Sequence, residues 1–391
     1  MPQPRGILVL MRLNFLSVSV AEESVLTPRR FIQVGSCREA LRVKTGLHHF
    51  ATTTPENRMP TLTTKAARWL CPLLLCSAHW VHAQTALTDA WRTVPLVDAH
   101  FHLMAFMTPA DLLARMDQHS ISHTVSAGAI GSPAIGHPNL RDSNAAAAIG
   151  PRFLPAVGNA ELVNAERAEG PTLFIDPNSK ERPLALQRIQ EFLGKLPRTI
   201  GETFPNAERS SADPMRRRRV PLDGPMFQAL AEIATRFDRP LPMHMEWHPE
   251  SVAGLSRLLE RWPTLTLLLS HCGKTTTAQD IRSFFEKHPN VVCDLGYRSL
   301  PQEANDFRRF PERTIFWASA PGRTAYLAPD WKKLIEDHPD RFMVAIDDTH
   351  DWAQYDEVVR SLREGLLAHL NPAVVDRIAH GNAKRVFRLS P

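Results

Sequence analysis

From residue 96 onward, short runs of apolar residues alternate with longer stretches in which apolar residues recur every three or four positions. The short runs predict buried strands, and the longer stretches predict amphipathic helices. The helical spacing is clearest at Val252, Leu255, Leu258 and Leu259. The predicted strands are residues 96–103, 124–129, 153–158, 199–204, 241–246, 265–270, 291–295 and 342–346.

Helices are predicted between these strands and after the last of them. They cover residues 110–118, 183–193, 226–236, 251–261, 278–287, 331–337, 354–369 and 372–389. Strands separated by helices indicate parallel pairing through right-handed crossovers. Because eight such units fit within roughly 300 residues, we expect an α/β fold, a distorted (β/α)8 TIM barrel that forms a single domain over residues 84–391.

The charge of the chain is unevenly distributed. The 391 residues carry a formal net charge of +5 at pH 7, with 46 Lys and Arg against 41 Asp and Glu. The basic excess lies within residues 1–83, and the remainder of the chain is close to neutral. The net charge therefore does not indicate a nucleic-acid partner, and we expect none.

Residues 59–83 have the features of a secretory signal peptide. Two basic residues precede an apolar run from Trp69 to about Val81, and small Ala83 stands before the predicted cleavage site. The run is shorter than the ~20 residues that a spanning helix needs, so we expect no stable membrane anchor. We predict an exported, periplasmic or secreted protein, with a buried N-terminal helix as the alternative. Residues 1–58 lack periodicity and are interpreted as an upstream extension of the reading frame or as disordered.

Processing near Ala83 would leave two of the five cysteines, Cys272 and Cys293. Two cysteines are too few for a disulfide framework, and a domain of this size does not need one. We therefore expect both thiols to be buried and unpaired.

The candidate chemistry lies at the ends of the predicted strands, where barrels of this kind carry their active sites. The first strand ends in His100 and His102, which share a strand face because side chains alternate along a strand. Four later strands contribute Glu202, His244, His271 and Asp347. Imidazole and carboxylate are the ligands of zinc at hydrolytic sites. The pattern predicts a site for Zn²⁺ or another divalent metal, with one or two ions.

The order His-x-His, Glu, His, His, Asp resembles that of the amidohydrolase superfamily. The opening DAHFHL, the segment HPDRFMVAIDD and the closing GNAKRVFRL extend the resemblance from about residue 96 to residue 389. The chain is most similar to the amidohydrolase-related (amidohydrolase 2) family of metal-dependent hydrolases and decarboxylases. The resemblance implies a distorted (β/α)8 barrel, which agrees with the strand count.

By position, the resemblance also implies roles for the polar residues. The histidine ligands would be His100, His102 and His244. Asp347 would contact the metal and accept a proton from its water, and His271 would either bind a second metal or polarise the substrate. Glu202 matches a carboxylate that bridges two metals in some branches, so one ion and two ions both stay open.

Further residues near the strand ends have candidate roles. Asp98 precedes the histidine pair and is predicted to orient a ligand histidine. Arg216 and Arg217, in a run of four arginines, could bind a substrate carboxylate or lie in solvent. Glu246 could line the pocket or form a salt bridge at its rim. Lys274 follows a glycine as in a P-loop, but the loop's first glycine is absent, so nucleotide binding is rejected.

Taken together, these patterns predict a metal-dependent hydrolase that cleaves a C–O or C–N bond of a small ester, lactone or amide with a metal-activated water. A non-oxidative decarboxylase with the same ligands is the first alternative, and a barrel that binds a metal or solute without catalysis is the second. Glu202 and the predicted export favour hydrolysis. The partner would be a small-molecule substrate, while its identity and the oligomeric state stay open.

Overall fold

The computed structural model describes residues 89–128, 138–195, 197–209, 217–300 and 314–390. The chain divides into two units, Met1–Thr63 and Thr64–Pro391, and every described residue belongs to the second unit. The predicted upstream extension and signal peptide lie outside the described residues. None of the helices in the described ranges is both long enough and apolar enough to cross a membrane.

The strands of the described chain are short, and most of them are fully buried. They are β1 Leu96–Phe101, β2 Ile121–Ser126, β3 Phe153–Leu154, β4 Ala156–Val157, β5 Thr199–Ile200, β6 Thr203–Asn206, β7 Leu241–Met245, β8 Leu267–Leu269, β9 Val291–Asp294, β10 Phe316–Trp317, β11 Tyr326–Leu327 and β12 Phe342–Met343. Burial of both faces explains the continuous apolar run of β8, Leu267–Leu269.

Helices separate most of these strands. They are α1 Ala90–Thr93, α2 Pro109–Gln118, α3 Pro138–Ile149, α4 Asn159–Glu169, α5 Thr172–Ile175, α6 Glu181–Lys195, α7 Pro225–Phe237, α8 Pro249–Arg261, α9 Ala278–Lys287, α10 Pro329–Asp337, α11 Trp352–Arg360, α12 Pro372–Asp376 and α13 Asn382–Phe387. Many begin with proline in the first turn, where the missing N–H has no helical partner to lose. Helix α9 begins at a capping box formed by Thr277 and Asp280.

The fold is α/β, with parallel sheets. Parallel pairs join β1 to β2 and β2 to β3, and a second series runs from β6 through β7, β8 and β9 to β12. Strands β4 and β5 pair in parallel. Strands β3 and β4 both fall in the predicted strand 153–158, and the predicted strand 199–204 includes β5 and the start of β6. A parallel bridge from Phe101 to Asp347 links the end of β1 to the segment after β12. The series of pairings thereby returns to β1.

Two predicted strands are interrupted for identifiable reasons. Pro155 separates β3 from β4 because proline has no N–H to give to a neighbouring strand. Gly201 separates β5 from β6, and a Cβ there would lie 2.9 Å from the carbonyl oxygen of Ala127. Only glycine allows this approach. The N–H of Glu202 donates to the same carbonyl oxygen at 2.7 Å, so the interruption fixes the position of Glu202.

The last two predicted helices are also interrupted. Helix α11 continues as a π-helical segment, Ser361–Leu366, and a 3-10 turn, Leu367–His369. Gly365 lies against the backbone of Trp317 within this segment, which leaves no room for a side chain. A second π-helical segment, Arg377–Gly381, joins α12 to α13.

The antiparallel pair β10 and β11 was not predicted, because two-residue strands leave no readable pattern.

A large apolar cluster includes side chains from most of the helices and strands, among them Leu255, Leu267 and Phe342. In β1, Val97 and Ala99 belong to a second, smaller cluster that includes residues of α13. The polar residues of β1 occupy the alternate positions and therefore lie on the opposite face of the strand. This alternation separates the candidate site from the small cluster.

Candidate metal centre

Six buried polar side chains converge where the parallel strands end. They are His100, His102, Glu202, His244, His271 and Asp347. Groups of three among them hold their possible ligand atoms within 4.8 Å of one another. The structure therefore brings together all six residues that the sequence placed at a metal.

Three of these residues form what we name the first half-site: His100, His102 and Asp347. The Nε2 atoms of the two histidines are 3.1 Å apart. Oδ1 of Asp347 lies 3.7 Å from Nε2 of His100 and 3.5 Å from Nε2 of His102. Two imidazole nitrogens and one carboxylate oxygen thus surround a single point.

The second half-site consists of His244 and His271. Nδ1 of His244 lies 3.2 Å from Nε2 of His271, and the two rings meet edge to face. His244 lies in β7, whereas His271 lies in the 3-10 turn Ser270–Cys272 that follows β8. These two neighbouring strands present one nitrogen each to the same space.

Glu202 lies between the two half-sites and faces each with a different oxygen. Its Oε2 is 3.7 Å from Nε2 of His100 and 3.3 Å from Nε2 of His102. Its Oε1 is 3.3 Å from Nδ1 of His244 and 3.3 Å from Nε2 of His271. One carboxylate therefore contributes to both half-sites.

The hydrogen bonds of the first half-site orient its two histidine rings for binding a cation. Nδ1 of His100 lies 3.1 Å from Oδ2 of Asp294, and Nδ1 of His102 lies 2.6 Å from the carbonyl oxygen of Gly128. Both partners are acceptors, so in the neutral rings Nδ1 carries the proton and Nε2 carries a lone pair. Two lone pairs that face each other at 3.1 Å have no proton to share. A divalent cation between them would accept both.

His271 is oriented in the same way. Its Nδ1 lies 3.1 Å from the carbonyl oxygen of Gly296 and 3.2 Å from Oδ2 of Asp347, so Nε2 is left as the lone pair toward Glu202. Its backbone N–H donates to Oδ1 of Asp294 at 3.1 Å. Asp294 thus contacts histidines of both half-sites.

The backbone around the centre adopts left-handed conformations that residues other than glycine rarely adopt. His271, Cys272, Tyr297 and Asp347 have φ angles of 56°, 53°, 54° and 69°. Such conformations cost free energy, and they persist where the surrounding structure enforces them, often at functional sites. Here they occur where the chain turns at the ends of its strands.

The charges within the centre support one another. Burial alone opposes the ionisation of Glu202, but its interactions with the imidazoles of His100 and His244 hold its pKa well below the usual range. Burial likewise opposes protonation of His100, yet Glu202, Asp294 and Asp347 raise its pKa well above the ordinary value. Burial raises the pKa of Asp347 to about 7. The centre therefore combines a firmly ionised carboxylate with one that can exchange a proton near neutral pH.

Asp98 lies close to the centre but contacts main-chain atoms. Its Oδ1 accepts from the N–H of Ile346 at 2.9 Å and from the N–H of His100 at 3.3 Å. The carboxylate that contacts the ring of His100 belongs to Asp294, which is fully buried and was not predicted as a site residue from the sequence. The available signal was a single acidic residue within the apolar seventh predicted strand.

Two of the predicted substrate-binding residues, Arg217 and Glu246, lie within the described residues. Arg216 lies outside the described residues, and Arg217 is exposed. Glu246 is buried, and its Oε1 accepts from the backbone N–H of Arg209 at 2.6 Å. The carboxylate of Glu246 therefore holds the loop that follows β6.

The prediction of unpaired thiols is wrong, because Cys272 and Cys293 form a disulfide with a Cα–Cα distance of 4.7 Å. Strands β8 and β9 are parallel neighbours in which Leu269 pairs with Cys293. The left-handed turn at His271 then places Cys272 against Cys293. Sequence spacing alone could not reveal this turn.

A sequence model of the family described as Amidohydrolase (Amidohydro_2) matches residues 212–389. No curated protein gives a significant match to the chain.

Several solved structures resemble this chain. One is an uncharacterised TIM-barrel protein from Bordetella bronchiseptica, at 17% identity and a TM-score of 0.47, covering 76% of this chain and 99% of that chain. Another is an amidohydrolase from Burkholderia multivorans with bound zinc, at 16% identity and a TM-score of 0.44, covering 76% and 100%. A third is a dihydroxybenzoic acid decarboxylase from Polaromonas sp. JS666 with bound manganese, at 14% identity and a TM-score of 0.44, covering 76% and 97%.

Proposed function

We propose that this chain, whose residues 212–389 match the amidohydrolase family, is a metal-dependent hydrolase. Its reaction would be the cleavage of a C–O or C–N bond of a small ester, lactone or amide by an activated water. The observation that carries this proposal is Glu202, whose two oxygens face the two half-sites at 3.3 Å to 3.7 Å. A carboxylate between two groups of histidines supports a two-metal hydrolytic centre over a site for one ion.

The donor set fits divalent metals such as Zn²⁺ or Mn²⁺. His100, His102 and Asp347 would hold one ion, His244 and His271 would hold the other, and Glu202 would bind both. Four imidazole nitrogens with two carboxylates are the ligand types that these metals take. Ions bound here would lower the pKa of a bound water to about 7 and would polarise a carbonyl oxygen.

Asp347 is the residue that we assign to proton transfer. Its Oδ1 accepts from the N–H of Asp348 at 2.7 Å and faces the first half-site, while Oδ2 lies 3.2 Å from Nδ1 of His271. Oδ2 would take the proton of the attacking water and later give it to the leaving oxygen or nitrogen. A carboxylate beside a metal-bound water can accept its proton and return it to the leaving group.

The remaining residues hold the reacting groups in place. Asp294 fixes the ring of His100, and the carbonyl oxygen of Gly128 fixes the ring of His102. Burial of all six polar residues excludes bulk water and strengthens their electrostatic interactions. The donors are therefore oriented before a substrate arrives.

The test is an activity screen of purified protein supplied with Zn²⁺ or Mn²⁺. We expect hydrolysis of at least one class among small esters, lactones and amides. Asp347→Asn should lower kcat/KM by roughly 10²- to 10⁴-fold, the usual contribution of general acid–base catalysis. Asp340→Asn is the matched control, because that exposed carboxylate pairs with Arg377 away from the centre.

Other outcomes identify the alternatives. Release of CO2 from an aromatic carboxylate, without hydrolysis of any ester, lactone or amide, would replace the hydrolase with a non-oxidative decarboxylase. Metal binding without turnover of any compound would support a non-catalytic barrel. Absence of bound metal, unchanged in His100→Ala and His244→Ala, would refute the centre itself.

We also propose that the parallel pairings form a closed (β/α)8 barrel in a single domain. The bridge between Phe101 and Asp347 supports closure, since it joins the first parallel strand to the segment after the last. A further support is the hydrogen bond from the N–H of Ala99 to the carbonyl oxygen of Val344. Slow amide exchange at Ala99 and Asp347 would be expected of a closed ring, and rapid exchange at both would contradict it.

Finally, we propose that the protein is exported after cleavage near Ala83. The Cys272–Cys293 disulfide supports this location, because disulfides persist in oxidising compartments and are rare in the cytosol. N-terminal sequencing of the exported protein should find a chain that begins at Gln84. A mature chain that begins before Met59 would overturn the proposal.

A further inference from the structure

A chain of hydrogen bonds connects helix α3 to the ring of His102. The carbonyl oxygen of Gly128 lies 2.6 Å from Nδ1 of His102, and the N–H of Gly128 donates to Oγ of Ser126 at 3.0 Å. Oγ of Ser126, the last residue of β2, donates in turn to Oδ2 of Asp142 in α3 at 2.5 Å. Three successive hydrogen bonds therefore lead from a helix outside the centre to a predicted metal ligand.

Asp142 is enclosed and joins two strands. It is 1% exposed, and its Oδ2 also accepts from the N–H of Ala156 at 3.2 Å. Ala156 begins β4, so this one oxygen holds the end of β2 against the start of β4. Ser126 is equally buried. Because bulk water does not reach either side chain, their hydrogen bond is strong and fixes the position of both.

The residue before Asp142 contacts the segment that carries His102 itself. Nη2 of Arg141 donates at 2.6 Å to the carbonyl oxygen of Met104, which follows His102 by two residues. Consecutive residues of α3 thus hold both partners of one hydrogen bond. Arg141 holds the segment of the ring, and Asp142 holds the segment of its acceptor.

The segment between Ser126 and Gly128 is held on its other sides as well. Gly128 has a φ of +104°, and a Cβ there would lie 2.7 Å from Cβ of Asn159, so only glycine fits. The N–H of Ala127 donates to the carbonyl oxygen of Phe101 in β1 at 2.9 Å. Small displacements of this segment would therefore change how the carbonyl oxygen of Gly128 meets the histidine ring.

We propose that Asp142 is a positioning residue of the metal centre, which acts through Ser126 to hold the carbonyl oxygen of Gly128 against the ring of His102. This inference deepens the proposed function and rests on its metal centre. A fixed acceptor at Nδ1 keeps the proton on that atom and directs the lone pair of Nε2 toward a metal. Partners that orient a ligand in this way change metal affinity without contacting the metal.

A different role for Asp142 would be to join β2 to β4 and nothing more. Loss of that role would lower stability and leave the proton of His102 on Nδ1. Loss of a positioning role would also let the proton occupy either ring nitrogen. Asparagine should restore the preference for Nδ1, because its side-chain oxygen can accept from the same two donors. Burial raises the pKa of Asp142, so a neutral side chain suits this position.

The first experiment locates the ring proton of His102 by heteronuclear NMR of the metal-free protein, at alkaline pH where the ring is neutral. The signal is assigned by its loss in His102→Gln. We expect a proton on Nδ1 in wild type and in Asp142→Asn, and a mixture of the two forms in Asp142→Ala and Ser126→Ala. Wild-type spectra with the proton on Nε2 would overturn the proposal, as would unchanged spectra in both alanine variants.

The second experiment measures Zn²⁺ affinity by competition with a chelator. Asp142→Ala and Ser126→Ala should each weaken one of the bound ions by roughly 2- to 12-fold, the net contribution of about one hydrogen bond. Asp142→Asn should recover most of the affinity. Affinity that is unchanged in both alanine variants would overturn the proposal.

Ser361→Ala is the matched control for Ser126→Ala. Ser361 is also buried, and its Oγ likewise accepts from a backbone N–H, that of Ala318, in the π-helical segment after α11. Its substitution should lower stability without changing the ring proton of His102 or the affinity for Zn²⁺. A loss of affinity in Ser361→Ala as large as that in Ser126→Ala would show that stability alone accounts for the effect and would overturn the proposal.

The positioning role and the metal centre fail in distinguishable ways. If no metal binds but the ring proton of His102 still depends on Asp142, the metal centre is wrong and the control of the ring stands. If metal binds equally to wild type, Asp142→Ala and Ser126→Ala, the metal centre stands and the positioning role is wrong. Thermal unfolding of each variant separates these results from loss of the fold.

Discussion

The two half-sites present histidine nitrogens to the same carboxylate, yet they are assembled differently. The first joins β1 to Asp347, which lies near the other end of the described chain. The second comes from β7 and the turn after β8, which are consecutive in sequence. The first therefore depends on the completed series of strand pairings, whereas the second needs only two neighbouring strands.

The contacts behind the ligands differ as well. In the first half-site both histidine rings meet hydrogen-bond acceptors, Asp294 and the carbonyl oxygen of Gly128. In the second, the ring of His271 also meets an acceptor, the carbonyl oxygen of Gly296, and the ring of His244 packs against Phe204, with ring centroids 5.0 Å apart. A hydrogen bond fixes the direction of a ring nitrogen more narrowly than apolar packing does. The comparison predicts that His100 and His102 depend on the hydrogen bonds of their rings, and that His244 depends in part on apolar packing against Phe204.

Glu202→Gln should have the largest effect, because Glu202 is the residue common to both half-sites. We expect metal content to fall from about two ions per chain to about one or fewer, since the charge that would bridge them is lost. The fall in kcat/KM should exceed about 100-fold, since partners outside the ligand shell alone typically contribute 10- to 100-fold. Metal analysis of dialysed protein and steady-state kinetics measure the two effects.

The matched control for Glu202→Gln is Glu161→Gln. Glu161 is also buried, but it accepts from the N–H of Gly158 in the capping box of α4. Its substitution should leave metal content unchanged even if stability falls. One metal ion in wild type, with no change in Glu202→Gln, would show that the two half-sites do not act as a two-metal centre.

Asp294→Asn should have the next largest effect, and it tests the first half-site. Asp294 is ionised, because His100 outweighs the effect of burial and holds its pKa below the usual range. The carboxylate of Asp294 accepts from Nδ1 of His100 with one oxygen and from the backbone N–H groups of His271 and Gly296 with the other. Asparagine has a single side-chain oxygen and cannot accept from both sides. We expect metal affinity to fall roughly 10- to 100-fold, measured by competition with a chelator.

Asp98→Asn provides the contrast. Burial raises the pKa of Asp98 to about 8, so this carboxyl is mostly protonated at pH 7 and an amide replaces it with little change in charge. Its oxygen can still accept from the N–H groups of His100 and Ile346. Metal affinity should therefore change less than in Asp294→Asn. Equal losses in the two variants would remove the distinction between ring and main-chain contacts.

Much of this arrangement could be predicted from the sequence. Apolar runs separated by helical patterns gave the order of the parallel strands, and side-chain alternation placed His100 and His102 on one face. Ligands from later strands converge because parallel strands present their carboxyl ends on one side of the sheet. The positions of the strand ends were sufficient to predict that His244, His271 and Asp347 lie at the site.

What could not be predicted depends on main-chain geometry. The carbonyl oxygen of Gly128 has no sequence signature as an acceptor for a histidine ring. The turn that pairs Cys272 with Cys293 depends on left-handed backbone conformations. A sequence without glycine at these positions does not predict such conformations. Asp294 appeared as one polar residue in an apolar strand, so its contact with His100 required the fold.

Phe204→Leu should have the smallest effect, and it tests the packing of the second half-site. Leucine keeps an apolar side chain but removes the ring that lies against His244. An aromatic contact contributes about 0.5–1.5 kcal/mol, which corresponds to roughly a 2- to 12-fold loss of affinity for one of two metal ions. Chelator competition should resolve a weakened ion from an unchanged one.

Phe285→Leu is the control for Phe204→Leu, because Phe285 also packs against the ring of a histidine, His338, but does so outside the centre. It should lower stability without changing the affinity of either metal ion. A loss in Phe204→Leu as large as that in Asp294→Asn would mean that packing orients a ligand as strictly as a hydrogen bond does. The two half-sites would then differ in where their residues come from along the chain, and no longer in how firmly their ligands are held.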